Sequence, residues 1–336
     1  MIKWQGFEKG INLGGWLSQC IHTDEHYRTF ITEEDISVIS SWNVDHVRVP
    51  VDYDLVETAD GAYKEEGFAY IEKCIGWCRK YHLNMILDLH KTYGFSFDEG
   101  EKETGFFYSD ACQERFFRLW EQFASRFGKN SDMLAFELLN EVTEPEYGMI
   151  WNRVSAECIK RIRRTGCICT VLVGGYYNNH AGTVKYLDKP YDEHVVYNFH
   201  CYEPLVFTHQ GASWIRVMPG DFRCAFDCTE GEMNERTKKI LGVPLSGTRE
   251  ENAERAINED YFIGLFEEAV KKAEDNGTSL YCGEYGVIDL ADKAECRKWH
   301  SAIHKAFRHY GIGHAVWNYK KLDFGILDRS LSDMLE

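Results

Sequence analysis

Eight short apolar runs, beginning near residues 10, 44, 84, 132, 169, 195, 279 and 313, recur along the chain, with helix-like segments between most of them. Strand–helix alternation predicts a parallel sheet with right-handed crossovers, and eight units predict closure into a (β/α)8 barrel. A doubly wound open sheet is the main rival, but no Gly-x-Gly-x-x-Gly follows the first run to support it. No repeat of 20 to 50 residues accompanies the cadence. The 336 residues fit one such barrel as a single domain, 1–336, with a substantial core.

Local signals mark the helices. Thr32-Glu-Glu-Asp-Ile has the cap-acid-apolar order of a helix start, and the helix should run to about Ser41. Apolar residues at helical spacing predict further helices over 70–81, 112–127, 151–164, 259–275 and 293–309. From Pro204 to about Asn258 the cadence breaks into glycines, prolines and charges, too long for an ordinary connection. We read 204–258 as an inserted subdomain or lid after the sixth strand.

The strand ends carry the chemistry. Asp132-Met-Leu-Ala-Phe-Glu-Leu-Leu-Asn-Glu141 reads as a buried strand that stops abruptly in Asn140 and Glu141. A carboxylate there needs either a cation or an open cleft. The pattern recurs in Leu280-Tyr-Cys-Gly-Glu-Tyr-Gly, where Glu284 follows a short run. Arg48, His90, Asn140, Glu141, His200, Tyr202, Glu284 and Trp317 all fall at predicted C-terminal strand ends, where barrels place their active sites. Taken singly, a strand-end Glu suits a salt bridge, a His a structural hydrogen bond, and Trp317 the core. Eight such coincidences at one end of one barrel favour function.

Two carboxylates facing each other across a neutral substrate suit glycoside hydrolysis, one protonating the leaving oxygen while the other attacks the anomeric carbon. Glu284 would be kept ionised by Arg48 and a Tyr202 hydrogen bond; Glu141, in a more apolar setting without a cation, would have its pKa raised. Asn140 would bond the sugar 2-hydroxyl and Trp317 would floor a sugar ring, with Trp214 a further substrate-binding candidate. No Gly-x-Ser-x-Gly elbow, His-Glu-x-x-His or P-loop is present, and the expectation is no metal and no cofactor.

Charge narrows the partner. With 38 Lys and Arg against 54 Asp and Glu, the formal charge of −16 is a poor match for nucleic acid or anionic membrane, whereas a neutral glycan fits. No run of eighteen apolar residues exists, and the first residues lack a signal-peptide core, which reads as a cytoplasmic protein. The 12 cysteines have irregular spacing and read as reduced, buried thiols rather than a disulfide framework; a zinc site at Cys224, Cys228 and His209 lacks further ligands at standard spacing.

The motifs Gly10-Ile-Asn-Leu-Gly-Gly-Trp16, Asp45-His-Val-Arg-Val-Pro50, Asp88-Leu-His90, Phe136-Glu-Leu-Leu-Asn-Glu141, Tyr197-Asn-Phe-His-Cys-Tyr202, Leu280-Tyr-Cys-Gly-Glu-Tyr-Gly286 and Ala315-Val-Trp-Asn-Tyr319 resemble glycoside hydrolase family 5 over nearly the whole chain. Within it, Phe207-Thr-His-Gln210 looks most like the clostridial endoglucanase C type. The resemblance implies a retaining mechanism with Glu141 as acid/base and Glu284 as nucleophile, and places Arg48, His90, Asn140, His200, Tyr202 and Trp317 around the −1 sugar. The chain departs from that type at Lys91, which stands where a second histidine is expected, and in the charged run Asp98-Glu-Gly-Glu-Lys-Glu103. A lysine there would hydrogen-bond the hydroxyls of a chain end, unless it faces solvent or pairs with a loop acid.

Three readings follow: a retaining β-glycosidase of endo-β-1,4-glucanase type, an exo-acting β-mannosidase or β-glucosidase for short imported oligosaccharides, and a glycan-binding barrel without catalysis.

Overall fold

The computed structural model describes residues 1–98 and 105–335. Eight parallel strands close in sequence order into one barrel: β1 Lys9–Asn12, β2 His46–Asp52, β3 Asn84–Lys91, β4 Leu134–Glu137, β5 Val171–Gly174, β6 Val195–Cys201, β7 Leu280–Tyr285 and β8 Gly313–Val316. The major helices are α1 Glu33–Ser40, α2 Glu65–Lys80, α3 Asp110–Phe127, α4 Gly148–Arg164, α5 Glu230–Leu241, α6 Glu259–Asp275 and α7 Lys293–Tyr310. All eight predicted runs are strands of the barrel. Among the described residues, no α-helix of comparable length lies between β5 and β6, where the 3-10 helix Ala181–Tyr186 takes its place.

The helices begin where their polar caps stand. At α1 the Asp35 carboxylate accepts from the Thr32 backbone N–H at 2.8 Å, satisfying a donor that the first turn leaves orphaned. Asp292 caps α7 through the N–H groups of Ala294 and Glu295, and Gly311, at φ 71°, closes its other end in the left-handed region that glycine adopts freely. In α3, Phe116, Leu119, Trp120, Phe123 and Phe127 form the apolar stripe turned toward the sheet.

Strand alternation builds the interior. Ile86, Ala135, Leu172, Val196, Tyr281 and Ala315 form a small apolar cluster with Phe7, separate from the large one between strands and helices. Two residues further along, the same inward-facing rows carry Asp88, Glu137, Asn198 and Gly283, joined by Asn12 and Arg48. The barrel is thus plugged by hydrocarbon at its N-terminal end and by a polar layer above it, directly under the strand ends.

One expectation is corrected. β4 stops at Glu137, four residues before Glu141. Beyond it the chain stays extended through Leu138 N–H to Leu172 C=O at 3.3 Å and Asn140 N–H to Leu89 C=O at 3.0 Å, then turns at Glu141, whose φ is +40°. A left-handed residue cannot continue a ladder, so the strand frays into the turn that presents the acid. Segment 204–258 contains the short helix Leu205–Thr208, α5 and the 3-10 helix Glu250–Asn252. Its buried Val206, Phe207, Met218, Phe226, Met233, Leu245 and Ile257 belong to the large cluster around the barrel.

All twelve cysteines are unpaired, eight of them buried. Among the described residues, no helix is long and apolar enough to cross a membrane.

Candidate functional site

Arg48, in the middle of β2 and fully buried, organises the polar layer. Its Nε and Nη2 donate to the two oxygens of Glu137 at 2.6 and 2.8 Å. Nη1 donates to Glu284 Oε1 at 2.7 Å and to Asn12 Oδ1 at 2.9 Å; Nη2 also reaches Asn140 Oδ1 at 2.9 Å and lies 3.1 Å from Asp88 Oδ2. Three carboxylates therefore share one guanidinium. Burial raises the proton affinity of the two beneath the floor: Asp88 is pushed up to about 7, and Glu137 also rises, both opposed by Arg48.

Glu284 sits above this layer within β7. The pairing of β7 with both neighbours slips at this point: Phe199 pairs with Cys282, but His200 with Glu284. A bulge of this kind re-aims a side chain. Gly283 permits it, since a Cβ there would lie 2.9 Å from Asn198 Oδ1 and 3.0 Å from His200 Nε2. Glu284 is held on both oxygens, by Arg48 on Oε1 and by the Tyr202 hydroxyl on Oε2 at 2.9 Å.

Glu141 is held differently. Asn178 Nδ2 donates to its Oε2 at 3.0 Å, and His200 Nδ1 lies 2.8 Å from its Oε1. Burial pushes its pKa above the ordinary carboxylate range, against the Asn178 hydrogen bond and the more distant charges of His90 and Arg48. His200 stands between the acids, its Nδ1 also 3.7 Å from Glu284 Oε2, and burial lowers its pKa to about 4, so it is neutral at pH 7. A donor atom of each of Glu141, His200 and Glu284 lies within 4.8 Å of the others.

Around the pair, His90 Nδ1 is 2.6 Å from Asp88 Oδ2, and its ring stacks on Trp317 with centroids 5.8 Å apart and planes 4° apart. His90 Nε2 and Asn140 Nδ2 are buried polar atoms with no hydrogen-bond partner among the described residues. Unmade bonds of this kind are costly in a closed protein and are what a ligand rich in hydroxyls would satisfy. A second set of potential metal donors, His22, Asp52 and Asp54, lies within 4.8 Å of one another near the ends of β1 and β2. In the first set, Glu141, His200 and Glu284 are each engaged in the hydrogen bonds above.

The sequence model of the cellulase family, glycosyl hydrolase family 5, matches residues 4–323. The chain belongs to glycoside hydrolase family 5. Cellodextrinase A of Ruminococcus flavefaciens is 46% identical over 313 residues, 93% of this chain and 85% of that one. Endoglucanase C of Acetivibrio thermocellus is 38% identical over 326 residues, 95% and 93% of the two. Among solved structures, the cellulose synthase subunit Z of Clostridioides difficile is similar with a TM-score of 0.76 at 26% identity, covering 98% of this chain and 99% of that one. Thermotoga maritima Cel5A with cellobiose, also at 0.76 but 21% identical and covering 98% and 97%, shares the fold.

This family 5 glycoside hydrolase brings Arg48, His90, Asn140, Glu141, His200, Tyr202, Glu284 and Trp317 together at one end of the barrel. Trp317 is only 7% exposed, with its ring parallel to that of His90. Trp214 is half exposed and reaches the acids through other rings: it lies edge-on to His209, and His209 edge-on to Tyr202. Lys91 ends β3 with its ammonium 6.0 Å from the Tyr53 ring centroid. Residues 99–103 of the charged run lie outside the described residues.

Sequence reasoning missed Asp88, Glu137, Asn12, Asn178 and Asn198 as site components. Asn198 Nδ2 donates to Glu137 Oε1 at 2.8 Å, and Asn12 Nδ2 to the Gly283 carbonyl at 3.0 Å, tying the bulge to β1. For Glu137 a signal existed: an acid inside an otherwise apolar strand requires a buried cation, and Arg48, read from the sequence as lying near a strand end, sits inside β2, which runs on through Pro50 to Asp52.

Proposed function

We propose that this glycoside hydrolase cleaves β-1,4-linked glucan by double displacement, with Glu284 as nucleophile and Glu141 as general acid and base. The observation that supports it is the asymmetry between two carboxylates with donor atoms within 4.8 Å, one neutralised by Arg48 at 2.7 Å and the other buried with a raised pKa. Short separation suits direct attack on the sugar, whereas an intervening water needs roughly 6.5–9.5 Å between the carboxyls. In the first step Glu284 forms a bond to the anomeric carbon as the glycosidic bond breaks, and the Glu141 proton passes to the leaving oxygen. In the second, water attacks that carbon and gives its proton to Glu141, and the bond to Glu284 breaks. Arg48 and Tyr202 orient the nucleophile; the unpartnered Asn140 Nδ2 and His90 Nε2 are the groups offered to sugar hydroxyls.

For the substrate we propose soluble β-1,4-gluco-oligosaccharides cut internally, in keeping with the cellodextrinase and endoglucanase names of the two relatives. Two measurements test these readings. Azide added to the Glu284→Ala enzyme should yield the α-glycosyl azide, and added to Glu141→Ala the β-glycosyl azide; one anomer from both would refute the roles. Cellohexaose should give mixed di- to tetrasaccharides, while release of monosaccharide alone would replace the internal cut with exo action. Mannohexaose and nitrophenyl mannosides distinguish the mannosidase alternative.

A further inference from the structure

Three consecutive residues after β5, Tyr177, Asn178 and Asn179, lie in the left-handed region with φ of 55°, 54° and 54°. A run of this kind is disfavoured for L-residues, least so for asparagine, and persists only where surrounding structure holds it. Here the N–H groups of Tyr177 and Asn178 donate at 3.0 Å to the carbonyls of Thr143 and Val142, the two residues that directly follow Glu141. Gly174 leaves the room: a Cβ on it would lie 2.4 Å from Asn179 Oδ1. The turn is fastened to the backbone of the acid it serves.

Both asparagines act on Glu141. Asn178 Nδ2 donates directly to Oε2 at 3.0 Å. Asn179 Nδ2 faces His200 Nε2 at 3.5 Å, which leaves the imidazole proton on Nδ1, 2.8 Å from Glu141 Oε1. The acid thus has a neutral donor on each oxygen, and neither donor comes from the network around Arg48.

We propose that Asn178 is a positioning residue for proton transfer: delivered by the left-handed turn, its amide fixes Glu141 through Oε2 and stabilises the carboxylate that accepts a proton from water in the second step. This rests on the acid/base role proposed for Glu141. The amide N–H bonds a carboxylate more strongly than a neutral carboxyl, so its loss raises the proton affinity of Glu141.

The test is Asn178→Gly, since glycine takes φ near +54° without strain and the turn survives while the amide goes. The kcat/KM profile on an aryl cellobioside should keep its acidic limb, while its basic limb moves up by about one pH unit, the shift that one hydrogen bond to a charged group supplies. Where deglycosylation limits turnover, kcat should fall about tenfold and be restored by azide, which needs no general base. Asn178→Asp, which keeps the side-chain shape, should move the limb further up by placing a second anion beside the first. Unmoved basic limbs in both variants would overturn the proposal, as would an equal loss at every pH that azide leaves uncorrected. Glu141→Ala separates the two levels: if its basic limb is lost while Asn178→Gly leaves its own in place, only the role of Asn178 fails; if Glu141→Ala retains its limb, the acid/base reading fails with it.

Discussion

Glu284 and Glu141 stand within a few ångströms of each other at the same end of one barrel, yet the protein treats them as opposites. Glu284 lies inside a strand, aimed by a bulge, with a guanidinium on one oxygen and a phenol on the other. Glu141 lies past the end of its strand in a left-handed conformation, with an amide and a neutral imidazole as its partners. The difference comes from charge accounting one layer down. Arg48 spends its bidentate face on Glu137 and has one Nη1 contact left for Glu284 and none for Glu141. A single buried cation thus pairs directly with one acid and leaves the other to burial, the asymmetry on which the proposed division of roles rests.

Five experiments would break or sharpen that contrast. Glu284→Gln removes the proposed attacking oxygen and should lower kcat by roughly 10⁴-fold or more on every substrate. Glu141→Gln should instead show a loss in the glycosylation step that shrinks as the leaving group becomes more acidic, because a dinitrophenolate departs without protonation. Equal losses for both variants across a leaving-group series would erase the distinction. Arg48→Met strands Glu137, Asp88 and Glu284 without their cation and should cost about 3–5 kcal/mol in urea unfolding, along with activity. A loss under 1 kcal/mol would mean that Arg48 is not the keystone of the layer.

Smaller effects probe each acid separately. Tyr202→Phe removes one hydrogen bond to Glu284 and should reduce kcat/KM about five- to tenfold, about 1 kcal/mol, with the basic limb of the pH profile in place. For Glu141 the folded pKa is raised, so its ionisation opposes folding: the penalty is absent below the unfolded carboxylate pKa, grows as pH rises through the folded value and is complete above it. Glu141→Gln should therefore melt higher than the parent at pH 7, with the gap closing as the pH falls toward 4. A gap that is constant with pH would place its cause outside that ionisation.

The contrast was only half visible in the sequence. Strand ends were legible because a barrel repeats one local grammar eight times, and a Glu after an apolar run stands out against it. The partners of Glu141 were not, because Asn178 and Asn179 sit in a loop whose conformation no hydrophobic period dictates; the only cue was a pair of asparagines, the non-glycine residue that best tolerates left-handed backbone, after Gly174-Gly175. Glu137 and Asp88 were hidden for the opposite reason: they fall inside runs that read as core, and a period of two cannot say whether an inward row meets hydrocarbon or a guanidinium. Trp317 was located at its strand end, but its parallel stack with His90 depends on two strands that are distant in sequence.

The most direct measurement is to trap the covalent intermediate. Incubation with 2,4-dinitrophenyl 2-deoxy-2-fluoro-β-cellobioside should inactivate the enzyme with one equivalent of sugar, and peptide mass spectrometry should find the label on Glu284, with inactivation abolished in Glu284→Gln. A label on Glu141 would invert the assignment. Turnover of the natural substrate with no covalent adduct and with inversion at the anomeric carbon would contradict the account.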